Sequence, residues 1–478
     1  MTGKTLIIEG GTTITQGSQA GTYAGSSNSG KVDGNTLIIS DGSVLNVHYV
    51  GGGKVNQPGK APSTANGNSV TISGANTQVT SNTIIFGGWT EQGTANENNI
   101  TINSGATVTG PVIGGDADQG EASRNNIIID SATVTGTILG ANAETNKGIV
   151  NENSVTISGN AVITGNITGG GSVNANPNSG PQTANNNEVI IDGTATIIGN
   201  ITGGDSRAQD GTANSNKITI GENANISQVT QITGATSTQG TANNNELNIA
   251  GSVSANTNIT GGIGSTDASD NNILISGDSA GAVIGGQSSQ GTANNNDITI
   301  GGNATGNITG SIGQTGASDN NITISGNSTG AVIGGKSDAG SANKNDITIG
   351  GNATGDITGG IGQTDAENNN ISVAGSVGGD VIGGKTENGS ASNNIISIDG
   401  DTTGNIIGGQ STQGSSNLNG IIIGGNATGD ITGGIGNTDA GDNNITIAGS
   451  VTGSVTGGKS NTTTASGNDI VIGGSVGG

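Results

Sequence analysis

One phrase recurs along the chain: Asn, any residue, an apolar residue, a residue that is usually Thr or Ser, and a second apolar residue. Aligned on its first residue, the phrase begins at Asn35, Asn68, Asn98, Asn125, Asn153, Asn187, Asn216, Asn245, Asn271, Asn296, Asn320, Asn345, Asn369, Asn394, Asn419, Asn443 and Asn468. Leu6-Ile7-Ile8 reads as an earlier, atypical copy without the Asn. Copies are 24 or 25 residues apart from Asn271 onward and 26 to 34 apart before it. Within a copy the apolar positions alternate, as in Ile322-Thr323-Ile324 and Ile371-Ser372-Val373. Alternation with β-branched residues predicts a strand. Six residues after the Asn stands a Gly (Gly326, Gly351, Gly375), which predicts a turn.

A second apolar column falls twelve residues after the Asn in the regular copies, at Val283, Ile308, Val332, Ile357, Val381, Ile406, Ile431 and Val455. Gly-Gly commonly follows it, as at Gly334-Gly335, and predicts a second corner. Three residues before the next Asn is usually Ala (Ala293, Ala317, Ala342, Ala366, Ala391, Ala440), with Ser416 in one copy. Three short extended segments between Gly corners describe one triangular turn of a solenoid. The predicted fold is all-β: a right-handed parallel β-helix of roughly 17–18 coils, each stacking ~4.8 Å above the last to give a rod of ~80–90 Å. A propeller would need four strands in each ~40–45 residues, with aromatic signatures. The chain does alternate two kinds of copy over a double period, but scarce aromatics and the single-copy Asn register favour the β-helix.

Composition changes the picture in one respect. There are 94 Gly, no Cys, one Met, one Trp, two Tyr and one Phe, and 29% of residues are apolar. A globular core cannot be filled from that set, whereas a narrow lumen needs only one Ile, Val or Ala above another. The net charge of −23, with Arg124 and Arg207 the only arginines, excludes a nucleic-acid partner and favours weak cation binding. No apolar run approaches the ~20 residues of a membrane span. No signal peptide is visible behind Met1, so the natural N-terminus is expected upstream.

Three stretches differ. Residues 1–99 hold every aromatic residue (Tyr23, Tyr49, Phe86, Trp89) and the sole histidine, His48. They are expected to be irregular coils and a cap, with the rings covering coil ends or packing under loops in preference to forming a binding patch. Residues 100–250 carry longer insertions such as 169–182, with Pro177 and Pro181. Residues 251–478 are the most regular and stop at Gly478 in mid-repeat.

The Asn column has the parity of the inward Ile columns, so its amides are expected to bond from coil to coil as a structural ladder running through Asn245, Asn271, Asn296, Asn320, Asn345, Asn369, Asn394, Asn419, Asn443 and Asn468. The next residue faces out: Asp297, Asp346 and Asp469 in some copies, Asn272, Asn321, Asn370 and Asn444 in others. Carboxylates two coils apart make a solvated face, not a cation site. The outward Thr column suggests an ice-binding plane but is interrupted by Ile128, Ile190, Leu274 and Ile422. No catalytic, cofactor or metal residues stand out. His48 has no evident Ser or Cys partner, and no aromatic follows Trp89, so the chain is not expected to be an enzyme.

The phrase Asn-Asn-Ile-Thr-Ile-x-Gly with Thr-Gly-x-Val-x-Gly-Gly, at Asn320–Gly335 and Asn443–Gly458, resembles the passenger repeats of bacterial autotransporters of the monomeric type. The likeness extends over most of the chain from about residue 60. It implies export to the bacterial cell surface by a C-terminal translocator barrel, which this sequence does not contain, and a rod-like passenger acting in adhesion or cell–cell aggregation. The expected function is therefore non-enzymatic adhesion or self-association, the partner being another copy or a host or cell-surface ligand. A carbohydrate-active or carbohydrate-binding β-helix, and a fibre-forming solenoid, are the alternatives.

Overall fold

A computed structural model describes the chain apart from residues 18–19, 29, 57–61, 145–147, 172–181 and 478. The expected insertion with Pro177 and Pro181, and Gly478, therefore lie outside the described residues. The chain divides into two compact units, Met1–Gly251 and Ser252–Gly478. Each is a parallel β-helix, and the described residues contain no α-helix.

In each unit the strands that follow the Asn column form one parallel sheet, one strand per coil. Asp297–Ile300, Asn321–Ile324 and Asp346–Ile349 pair in register, with Ile298, Ile322 and Ile347 stacked and Ile300, Ile324 and Ile349 stacked beside them. These isoleucines are wholly buried and the residues between them face out. Each buried Ile contributes about 1.5–3 kcal/mol relative to exposure, so a coil with four or five inward residues needs no aromatic. Leu274 and Ile422, which break the Thr column, lie 39% and 51% exposed on the outer face. A second parallel sheet carries the other apolar column, for example Val332–Ser337 against Ile357–Gly362.

The remaining side differs between the units. In the first unit it is a three-residue strand in several coils, such as Thr107–Thr109, Thr133–Thr135 and Val162–Thr164, with Val108, Val134 and Ile163 inward. In the second it shrinks to single bridged residues, Ser279, Ala304, Ser328, Ala353, Val377, Thr402, Ala427 and Val451. One inward residue fewer shortens the side by two positions: Val112 falls fourteen residues after Asn98, whereas Val332 falls twelve after Asn320.

The expected corner at Gly-Gly is not a corner. Gly334 and Gly335 lie inside the strand Val332–Ser337. A Cβ on Gly334 would stand 2.2 Å from the Gly359 carbonyl oxygen and 2.6 Å from Asn345 Cβ, and one on Gly335 would stand 2.0 Å from the Ala317 carbonyl oxygen. The glycines let this strand lie directly against the buried Asn, which is the usual meaning of Gly within a strand.

The sharp turn comes elsewhere. The residue before every Asn is left-handed, from Gly34 (φ 65°) through Glu97 (60°), Arg124 (56°), Asp319 (58°), Lys344 (54°) and Leu418 (58°) to Gly467 (73°).

Candidate functional site

The Asn ladder forms as expected. Within each unit the backbone N–H and the side-chain amide of one Asn both donate to Oδ1 of the Asn one coil on. Asn320 reaches Asn345 Oδ1 at 3.2 and 2.7 Å, and Asn345 reaches Asn369 Oδ1 at 3.0 and 2.9 Å. The same double bond joins Asn216 to Asn245, Asn271 to Asn296 to Asn320, and Asn369 through Asn394, Asn419 and Asn443 to Asn468. All but the last are buried. The ladder satisfies donors that burial would otherwise leave unpaired, a structural role.

Three further ladders were not anticipated. Two residues before the Asn, side chains accept from the next coil's backbone, in the opposite sense: Asn294 Oδ1 from Ser318 N, Ser318 Oγ from Asn343 N, Asn343 Oδ1 from Glu367 N. Seven residues after it, Asp278, Asn303, Asn327, Asn352 and Ser376 do the same on the exposed edge. A fourth runs through Asp356, Asp380, Asn405 and Asp430. The abundance of Asn, Asp and Ser follows from this corner bonding.

One region of the first unit departs from this pattern, on the outer face of the second sheet. Aligning coils on Gly-Gly, which is Gly140-Ala141 in the last of them, places the next residues in a row: Lys54, Trp89, Asp116, Asn142. Tyr23, Gly51, Phe86, Ile113 and Leu139 form a parallel row. The rings thus lie on this outer face, alternating with the inward column Val50, Ile85, Val112 and Ile138. Glycine makes room for them. A Cβ on Gly51 would stand 2.3 Å from the Phe86 ring, and one on Gly21 would stand 2.8 Å from Tyr49 Cβ. The Lys54 ammonium is held over three rings, 4.1 Å from the Tyr49 centroid, 4.7 Å from Trp89 and 5.3 Å from Tyr23. The Thr83 hydroxyl bonds the His48 ring, which stands edge-on to Tyr49.

Beside the rings lies a groove of about 400 Å³. Tyr49, Ile84, Trp89, Ile113 and Leu139 line it together with Asp116, Asp118, Asn142 and Glu144. Burial, reinforced by Asp118 and Glu144, pushes the Asp116 carboxyl up to about 8 against the pull of its bond from Asn142. Burial and the charges of Glu144 and Glu91 push Asp118 up to about 6, while a hydrogen bond from the Trp89 indole holds it down. Asn142, only 3% exposed, donates through Nδ2 to Asp116 Oδ1 at 2.9 Å and to Glu144 Oε1 at 3.4 Å. Its Oδ1 is buried with no hydrogen-bond partner. Among the described residues no three His, Cys, Asp or Glu side chains converge to hold a metal ion.

In the sequence the aromatics read as a cap, and Asp116, Asp118, Asn142 and Glu144 do not stand out. The signal was present in the Gly-Gly phrase, since aligning on it as on the Asn column sets Lys54, Trp89 and Asp116 side by side, with Asn142 behind Gly140-Ala141 in the next coil. Taken as a corner, the phrase carries no such register.

No family model matches the chain, and neither the curated proteins nor the solved structures contain a significant match to it.

Proposed function

We propose that this chain is a non-enzymatic β-helical scaffold that acts in adhesion outside a bacterial cell, and that it recognises a carbohydrate in the groove beside Trp89. One observation carries the reading. The chain's ring side chains, otherwise absent from hundreds of residues of polar coil, are gathered on one outer face next to carboxyl groups and an unsatisfied buried acceptor. Indole and phenol faces stack on the C–H faces of a sugar ring, and carboxylates and amides accept from its hydroxyls. The likeness to autotransporter passengers agrees with a surface role. The experiment is an oligosaccharide binding survey of the intact chain with a Trp89→Ala partner. Binding that falls about tenfold or more in the variant, with unchanged circular dichroism, supports the site. Equal binding by both forms places recognition elsewhere and defeats the reading.

A second reading has its own observation. Two neighbouring carboxyls, one pushed to about 8 and the other to about 6, are the arrangement from which glycoside hydrolysis draws an acid and a base. Release of reducing ends from a bound oligosaccharide, lost in Asp116→Asn, would replace the non-enzymatic proposal with this one.

A further inference from the structure

We infer that the groove beside Trp89 is one end of a longer trough, and that its occupant is a linear, uncharged oligosaccharide lying along the axis of the first unit from Trp89 to Thr236. The inference rests on the proposed carbohydrate site and specifies its ligand.

The trough follows from register. Two residues that line the groove, Ile113 and Leu139, stand in an outer column of the second sheet that continues as Thr168, Thr202 and Thr233 with no break in pairing. Those threonines line a second groove of about 430 Å³, and Thr137 lines both. Trp89 and Thr236 share a neighbouring column, five coil steps or ~24 Å apart. One half of the trough thus offers a ring and aliphatic side chains, and the other half hydroxyls.

That neighbouring column also holds the two acceptors that call for a ligand. Asn142, Gly171, Asp205 and Thr236 pair in succession, so Asn142 and Asp205 sit two coils apart, ~9.6 Å, with a glycine between them. Asn142 lines the first groove and Asp205 the second. Each has its Oδ1 buried with no hydrogen-bond partner. The other Asp205 oxygen accepts from Arg207 Nη2 at 2.9 Å and Nε at 3.0 Å, so the charge of this carboxylate is already countered. An amide oxygen and an ion-paired carboxylate oxygen both call for neutral donors, which hydroxyls supply. Their separation puts the two hydroxyls on different rings of one chain.

A peptide is the competing occupant. An extended peptide binds a sheet by pairing with a free strand edge. The trough lies on the face of a sheet whose strands are already bonded coil to coil on both sides. A sugar chain needs no edge. It lays C–H faces on Trp89, Ile113 and Leu139 and exchanges hydrogen bonds with threonine hydroxyls, which both donate and accept.

Trp89 is the single tryptophan, so its fluorescence reports one end of the trough, while calorimetry reports the whole. The full chain would be titrated with unbranched oligomers of glucose, mannose and N-acetylglucosamine, each at two and six units, and with hexaserine. At least one hexamer is expected to bind about tenfold or more tightly than its dimer, with little dependence on salt. Thr202→Val keeps a β-branched residue and removes the hydroxyl. It should weaken that hexamer about threefold or more and leave the dimer unchanged, whereas Trp89→Ala should weaken both. Equal binding of dimer and hexamer, untouched by Thr202→Val, would overturn the chain while leaving the carbohydrate site standing. Hexaserine binding as tightly as the best hexamer would overturn the carbohydrate chemistry and this inference with it. Silence from every ligand would overturn the inference, and silence in the oligosaccharide survey as well would overturn the site.

Discussion

Each ladder Asn places one carbonyl oxygen where two buried donors meet, and this double acceptance sets the cost of losing it. Asn345→Ala strands the backbone N–H of Asn320 and one N–H of its side-chain amide, which both end on Asn345 Oδ1, while the amide keeps its bond to Ser311 Oγ. The expected destabilisation is about 2–4 kcal/mol, read as a drop in the guanidinium midpoint, and Asn345→Asp should recover little of it because an ionised carboxylate in that place is desolvated. The left-handed residue before each Asn bears on stability in the other direction. Leu418 holds φ 58° while 56% exposed, so its side chain contributes little packing to offset the conformation. Leu418→Gly should stabilise the second unit by about 1 kcal/mol, and Leu418→Val should destabilise it. No change in the unfolding midpoint for either variant would contradict the strain argument.

At the scale of one strand, the controlling feature is how closely backbone approaches side chain. Gly334 has the Gly359 carbonyl and Asn345 Cβ within reach of any added methyl, and neither can retreat without breaking a ladder. Gly334→Ala should cost about 3 kcal/mol or more and open the amides of Val332–Ser337 to hydrogen exchange. Gly51→Ala meets a ring instead of backbone, so it should displace Phe86 from the outer face and change the emission of Trp89 while the lumen stays packed. The Gly-Gly phrase was visible in the sequence but its role was not. A glycine pair reads equally well as a turn or as a close approach, and only the position of the buried Asn distinguishes the two.

At the scale of the whole chain, coils bond to the coils before and after them, so stability should be nearly a sum over neighbours. Deleting residues 320–368 in the second unit removes two coils and rejoins Asp319 to Asn369, preserving the ladder and the alternation of Ile312 with a lysine (Lys336 before, Lys385 after) on the outer face. The shortened chain should keep its β circular dichroism and unfolding midpoint, with an m-value reduced in proportion to its length. Collapse of the signal would show that the coils are not interchangeable. The first unit should also respond to pH. Asp116 is raised from an ordinary 3.8 to about 8 and Asp118 to about 6, so between pH 4 and 8 the folded state holds protons that the unfolded chain has released. Stability then falls as pH rises through that window. The guanidinium midpoint should be higher at pH 5 than at pH 8, and Asp116→Asn should remove most of the difference.

The repeat by itself determined the parallel β-helix, the inward Ile, Val and Ala columns and the Asn ladder, because each depends on a residue meeting its own counterpart one coil away. Asn345 above Asn320, or Ile347 above Ile322, follows from period alone. Only the tertiary structure decided what unlike residues do together. It put the left-handed turn at positions occupied by Glu97, Arg124, Lys344 and Leu418, where the main-chain path overrides local preference. It turned the rings of Tyr49 and Trp89 outward, and brought Asp116, Asp118 and Asn142 onto the same face. Trp89, Asp116 and Asn142 occupy the same position of successive coils, just after the Gly-Gly phrase or its Gly140-Ala141 counterpart. The sequence withheld their meeting because a glycine pair reads equally as a turn or as a close approach, and only the packing of the buried Asn against it shows that the strand runs straight through.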